Sequence, residues 1–222
     1  MAQHPVCRLI TGAALALILV TTGACGDKPG TSGSAGPAGS SASAAPETPQ
    51  GGFKGIDITG ADYAKTLDLP DASGKPRSLA EFKGKVTVVF FGFTQCPDVC
   101  PTTLAELGQV KKRLGAEGAR VAGIFVTVDP ERDTPELLNA YVSNFDPDFV
   151  ALRGSLEQTQ VAAKHFKVFY AKVPGKTEGS YSIDHTAGSY LFDTQGRVRV
   201  FTRHGTGPDA LEHDLKQLLA QR

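Results

Sequence analysis

The sequence predicts a three-layer α/β domain with a mixed central sheet, and three features lead there. Residues 86–91 (VTVVFF) and 121–128 (VAGIFVTV) are continuous apolar runs rich in β-branched and aromatic residues, as in strands buried on both faces. Each is followed by a segment whose apolar positions have helical spacing. Further on, residues 189–193 and 197–202 flank Thr194-Gln195-Gly196, the pattern of a hairpin. Parallel strands joined by crossover helices, with antiparallel strands added, give a sheet covered by helices on both faces.

The first 24 residues read as an export signal. Arg8 is the single charge of the first eight residues, and the apolar run 9–20 has the length of a signal-peptide core. It is short for a spanning helix, which needs roughly 20 apolar residues. The run ends in Thr21-Thr22-Gly23-Ala24-Cys25, which resembles a bacterial lipoprotein box with Thr22 where Leu is usual. That resemblance implies lipidation at Cys25 and an anchor on the outer face of the cytoplasmic membrane. Residues 25–52 are mostly Gly, Ser, Ala, Pro and Thr, and so bury too little to offset the entropy of ordering. They are expected to form a flexible linker, and residues 53–222 the folded domain.

Within the domain, a helix should open near Pro101 and carry Leu104, Leu107, Val110 and Leu114 on one face. Thr134-Pro135-Glu136 starts a second helix with Leu137, Leu138 and Tyr141. Residues 149–152 form a short strand and 156–165 a third helix. Residues 168–173 can pair as a strand, followed by a polar, Gly-rich hairpin around Pro174 to Gly179. The last helix opens near Pro208 and runs to the C-terminus.

The 23 basic and 23 acidic side chains balance, so the chain lacks the basic excess of a nucleic-acid binder. Of four cysteines, Cys7 and Cys25 fall in the leader and its boundary, and only Cys96 and Cys100 in the domain. One pair with three residues between is no disulfide scaffold; it reads as a redox or a metal site. The pair sits where a buried strand meets a helix, the usual place for sites in α/β sheets. A helix N-terminus also stabilises thiolates. Were the first turn to include Cys96, both sulfurs would lie on one helix face.

A third ligand would separate metal from redox chemistry, and four histidines follow Cys100. His213 lies between Glu212 and Asp214 on an expected solvated face. His165 ends a helix, where a cation suits the dipole. His204 precedes a Gly-Thr-Gly turn. His185, in Ile183-Asp184-His185-Thr186-Ala187, has Asp184 beside it as an orienting candidate. The residues favour His185 without excluding the others.

Three motifs in order, FTQCPDVCPTTL, VTVDPERDTPE and DHTAGSYLFD, resemble the Sco/SenC family of copper chaperones for cytochrome c oxidase. The similarity spans the domain from about residue 60 onward. It implies a thioredoxin-like fold and one Cu(I) or Cu(II) ion held by Cys96, Cys100 and His185. Asp98 and Asp129 match the motifs as outer positions, and Gln95 replaces a frequent His with little expected effect. Soft Cu(I) suits two thiolates and an imidazole, whereas structural zinc would take a fourth ligand. The implied partner is the CuA centre of oxidase subunit II, with another copper chaperone or a thiol reductant alongside.

An alternative stays open: a thiol–disulfide oxidoreductase in which Cys96 and Cys100 reduce the CuA-site cysteines. Its weakness is the Cys-x3-Cys spacing. A peroxiredoxin would leave His185 idle, and a structural lipoprotein would leave the whole motif set idle. For the anchor, Cys25→Ala should abolish fatty-acid labelling and release the protein from membranes. Labelling that persists in the variant would exclude Cys25 as the lipid site.

Overall fold

The computed structural model describes residues 52–221. The leader, Cys25 and nearly all of the linker lie outside the described residues. Among those described, no helix is long and apolar enough to cross a membrane.

Ten strands and four α-helices follow in chain order: β1 (Ile56–Asp57), β2 (Asp68–Pro70), β3 (Pro76–Ser78), β4 (Val86–Gly92), α1 (Val99–Arg113), β5 (Val121–Thr127) and α2 (Pro135–Ser143). Then come β6 (Val150–Leu152), α3 (Leu156–His165), β7 (Tyr170–Pro174), β8 (Tyr181–His185), β9 (Gly188–Phe192), β10 (Val198–Arg203) and α4 (Pro208–Ala220). Six strands form the main sheet in the order β1-β10-β9-β4-β5-β6. β4, β5 and β6 run parallel, while β9 is antiparallel to β4 and to β10. The mixed sheet expected from the sequence is present.

Every residue of β4 and β5 is buried, as their unbroken hydrophobicity requires. The two pair in register from Val86 with Val121 to Gly92 with Thr127, so they end side by side. That common edge is the floor of the site described below. On one face Phe90 packs against Phe125 at 6.2 Å, and Leu211 of α4 lines a small cavity with Val88 and Leu107. On the other, Phe91 meets Phe166 at 5.0 Å, just beyond α3, and Phe166 also touches Tyr190 and Phe192. Helix starts follow local chemistry: the Thr134 hydroxyl accepts the Leu137 N–H ahead of Pro135, and Ser155 with Gln158 forms a capping box.

Three departures from the sequence reading matter. α1 starts at Val99, so Cys100 lies in its first turn and Cys96 precedes it; the two sulfurs do not share a helix face. The strand expected at 168–173 is β7, and the expected hairpin pairs it with β8, but in a two-stranded sheet separate from the main one. Short strands β1, β2 and β3 were also unforeseen, being two or three residues rich in Asp and Pro.

Gly92 closes β4 because nothing larger fits. A Cβ there would lie 2.7 Å from Cys100 Sγ and 2.9 Å from the rings of Phe90 and Phe125. Gly92→Ala should therefore destabilise the protein by about 1–3 kcal/mol through overpacking. Urea unfolding reads this directly; a midpoint equal to that of the unmutated chain would show that the site relaxes around the methyl group.

Candidate metal centre

Beyond Gly92 the chain turns through buried Phe93, whose carbonyl accepts the Cys96 N–H at 3.2 Å. Cys96 is half-buried, and its sulfur accepts N–H groups from Asp98 and from Cys100, the latter at 3.4 Å. These are free donors at the start of α1, so the helix end is turned toward an anionic sulfur. Cys100 is fully buried.

His185, the last residue of β8, supplies the third donor. Its Nε2 lies 3.4 Å from Cys100 Sγ, and its Nδ1 lies 3.1 Å from the Thr186 carbonyl. A carbonyl only accepts, so Nδ1 carries the proton and Nε2 offers its lone pair toward the sulfurs. The rings of Phe90 and Phe93 flank the imidazole, each 5.9 Å away and near perpendicular. The ligand atoms of Cys96, Cys100 and His185 all lie within 4.8 Å of one another. One ion with metal–sulfur bonds of about 2.3 Å can bridge that spread.

The sulfurs are unequal. Hydrogen bonding from the Cys100 thiol pulls the Cys96 pKa down to about 4 against the effect of burial, and the backbone N–H groups of Cys100 and Asp98 add to it. The same bond and burial push Cys100 far above the ordinary thiol range. The reduced pair therefore holds one proton, on Cys100, and one negative charge, on Cys96. Bound metal would displace that last proton.

Two carboxylates of the loop after β5 brace the site. Buried Asp133 accepts the Thr94 N–H, the Thr94 hydroxyl at 2.6 Å and the Thr127 hydroxyl at 2.5 Å, so it ties the cysteine loop to the end of β5. Burial raises its pKa despite these donors. Buried Asp129 accepts from Arg132 and, at 2.8 Å, from the Tyr181 hydroxyl. Asp129 is thus an outer residue, as expected, and Asp98 starts α1 while accepting from Thr102.

The remaining histidines stand apart. His165 contacts Thr66, His204 contacts Thr103, and His213 pairs with buried Asp214. Asp184 is exposed and does not orient His185; the Thr186 carbonyl does. Sequence reasoning also missed Arg132 and Tyr181. The one signal for the former was a cation set between Asp129 and Asp133 in the DPERD run. Cys25 lies outside the described residues.

Fold and site together define a class: a mixed-sheet α/β domain with a dithiol–imidazole cluster at a strand-to-helix turn. The SCO1/SenC family profile matches residues 57–220, and the chain belongs to that family. A SCO2-like protein of Rickettsia prowazekii is 39% identical over 132 residues, which cover 59% of this chain and 64% of that relative. The match thus spans less than two thirds of the relative's length. The copper-bound structure of Bradyrhizobium japonicum ScoI superposes with a TM-score of 0.62 at 40% identity, covering 69% of this chain and 97% of that one. BsSco, a Sco-family cytochrome c oxidase assembly protein with a disulfide switch, gives 0.58 at 27% identity over 76% of this chain and 99% of its own. These structures share the thioredoxin-like fold that the motifs implied.

The inequality of the sulfurs has a direct readout. One equivalent of iodoacetamide at neutral pH should label Cys96 of the reduced protein and spare Cys100, as peptide mapping would show. Label found first on Cys100 would contradict the assignment of the thiolate.

Proposed function

We propose that this protein is a copper chaperone that binds one copper ion through Cys96, Cys100 and His185 and serves cytochrome c oxidase assembly. The observation that carries the reading is the imidazole Nε2, brought by a separate hairpin to 3.4 Å from a buried sulfur. Two thiolates and one imidazole form a soft donor set that suits Cu(I). Among the described residues this is the one group of three such donors, and no carboxylate joins it to make a zinc-like fourth ligand. The copper carried by ScoI and the assembly role of BsSco support the same reading.

The residues divide the work. Cys100 forms the buried side of the site, and Cys96 and His185 are half-buried. Cys96, on the loop before α1, is the sulfur that an acceptor thiolate would displace first, so the ion passes by stepwise exchange without ever being free. The acceptor we favour is the CuA centre of subunit II, whose ligands include thiolates. Residues 1–24 would direct export, Cys25 would carry a lipid, and 25–52 would give the domain reach at the outer face of the bacterial cytoplasmic membrane.

The acid thiolate of Cys96 beside a buried thiol also favours a second reading, disulfide reduction. There Cys96 attacks an acceptor disulfide and one acceptor thiolate leaves. Cys100, after losing its proton, then attacks Cys96, which frees the second acceptor thiol and leaves a Cys96–Cys100 disulfide. The pair must then be re-reduced by an external dithiol.

Anaerobic Cu(I) titration of the pre-reduced chain against a competing chelator separates the two. Tight one-to-one binding is expected, weakened about 10- to 100-fold or more in Cys96→Ala, Cys100→Ala and His185→Ala, with circular dichroism unchanged. Binding indifferent to His185→Ala would leave the dithiol reading.

A further inference from the structure

The hairpin that delivers His185 shares no backbone ladder with the main sheet; β7 pairs only with β8. Alternation along β8 puts Tyr181, Ile183 and His185 on one face, and Ile183 is buried there. At the end near His185 the hairpin closes its own base: the Thr186 N–H donates to the Phe169 carbonyl and the Phe169 N–H to the Thr186 hydroxyl. The end near Tyr181 is held by side chains from the loop after β5: Asp129 accepts the Tyr181 hydroxyl, Glu131 pairs with Lys172 of β7, and one further side chain also reaches the cysteine loop.

That side chain is Arg132. Its Nη1 donates to Gln95 Oε1 at 3.1 Å, beside Cys96, and to the Tyr181 carbonyl at 2.8 Å. Its Nε bonds the buried Asp129 carboxylate, which also accepts the Tyr181 hydroxyl at 2.8 Å. The guanidinium lies 3.6 Å over the Tyr181 ring and 5.9 Å from Phe93, whose ring flanks His185. One cation thus touches the cysteine loop, its own loop and the histidine hairpin. Its Nη2 is buried with no acceptor, a loss that packing alone would not favour. The arrangement makes sense if geometry rather than stability is what the arginine provides.

We infer that Arg132 is a positioning residue for the metal centre: it clamps the hairpin to the cysteine loop and so sets where His185 stands relative to Cys96 and Cys100. The inference rests on the copper reading above for its effect on affinity, and on the fold alone for its effect on the hairpin. Gln95, expected to have little effect, becomes one of the two ends the clamp joins.

The test is a double-mutant cycle on the full chain, with Arg132→Met and His185→Ala alone and together, read by Cu(I) affinity against a chelator. Arg132→Met should lower affinity about tenfold, the scale for residues that orient a ligand. It should add no loss in the His185→Ala background. Arg132→Lys should not rescue, since an ammonium lacks the planar fork that reaches Gln95 and the Tyr181 carbonyl together. An equal loss in both backgrounds, or full rescue by lysine, would overturn the inference. If Arg132→Met does not fold, Gln95→Leu replaces it, with a smaller loss that must likewise vanish in the His185→Ala background.

Hydrogen exchange of the metal-free protein gives a readout independent of copper. Amides of residues 171–184 should exchange faster in Arg132→Met, and unchanged exchange would also overturn the inference. Failure of the unmutated chain to bind copper would instead overturn the chaperone reading and leave the exchange result standing.

Discussion

The sulfur of Cys100 rests against the last residue of β4, in space that exists because that residue is glycine. Strand and helix meet there at closest approach, so the start of α1 cannot shift along the strand without a clash. With Cys100 fixed, the rest of the site follows. Its N–H points at Cys96, its thiol donates to the Cys96 sulfur, and Nε2 of His185 lies 3.4 Å from the Cys100 sulfur. The in-register ending of β4 and β5 sets the Asp129–Asp133 loop beside this point, where Asp133 anchors Thr94 of the cysteine loop.

From one close contact comes a difference between two chemically identical residues. Cys100 is buried in the first turn of α1 and its pKa is raised; Cys96 is half-buried, on a loop, and its pKa is lowered. A ligand pair of this kind has a fixed end and an exchanging end, which metal transfer requires. Two equally buried thiolates would bind tightly and release slowly, whereas two equally exposed ones would repel each other and oxidise.

How much of this was legible in the sequence depends on the range of the interaction. Local signals served well: the apolar runs of β4 and β5, the Thr134-Pro135 start of α2 and the bounds of α3 were all readable. The strand-to-helix setting of Cys96 and Cys100 was readable too. His185 was not singled out by residues alone, because four histidines offered similar local contexts; the three motifs chose it. The expectation for Asp184 failed for a simple reason. His185 ends a strand, neighbours in a strand project to opposite faces, and so the adjacent carboxylate is turned away. Sequence patterns carry no mark of a backbone carbonyl such as that of Thr186. Nor do they show that Arg132 spans 37 residues to Gln95 and 49 to Tyr181.

The dithiol by itself does not choose between carrying copper and exchanging disulfides, since an acid thiolate beside a buried thiol suits both. His185 and what supports it do bear on the choice. Disulfide exchange needs two sulfurs and a helix N-terminus, and the β4–α1 junction supplies them without any hairpin. Here β7 and β8 form a separate sheet that brings an imidazole to the sulfurs with its tautomer set by Thr186. Arg132, Tyr181 and buried Asp129 brace that hairpin, with one guanidinium nitrogen, Nη2, left without an acceptor. A base needed only for proton transfer tolerates loose placement, because a water molecule can bridge the gap. A metal ligand does not, because bonds of about 2 Å leave no slack. The precision with which the hairpin is held therefore weighs toward copper, and thiol exchange becomes the chemistry available to the same two sulfurs when the ion is absent.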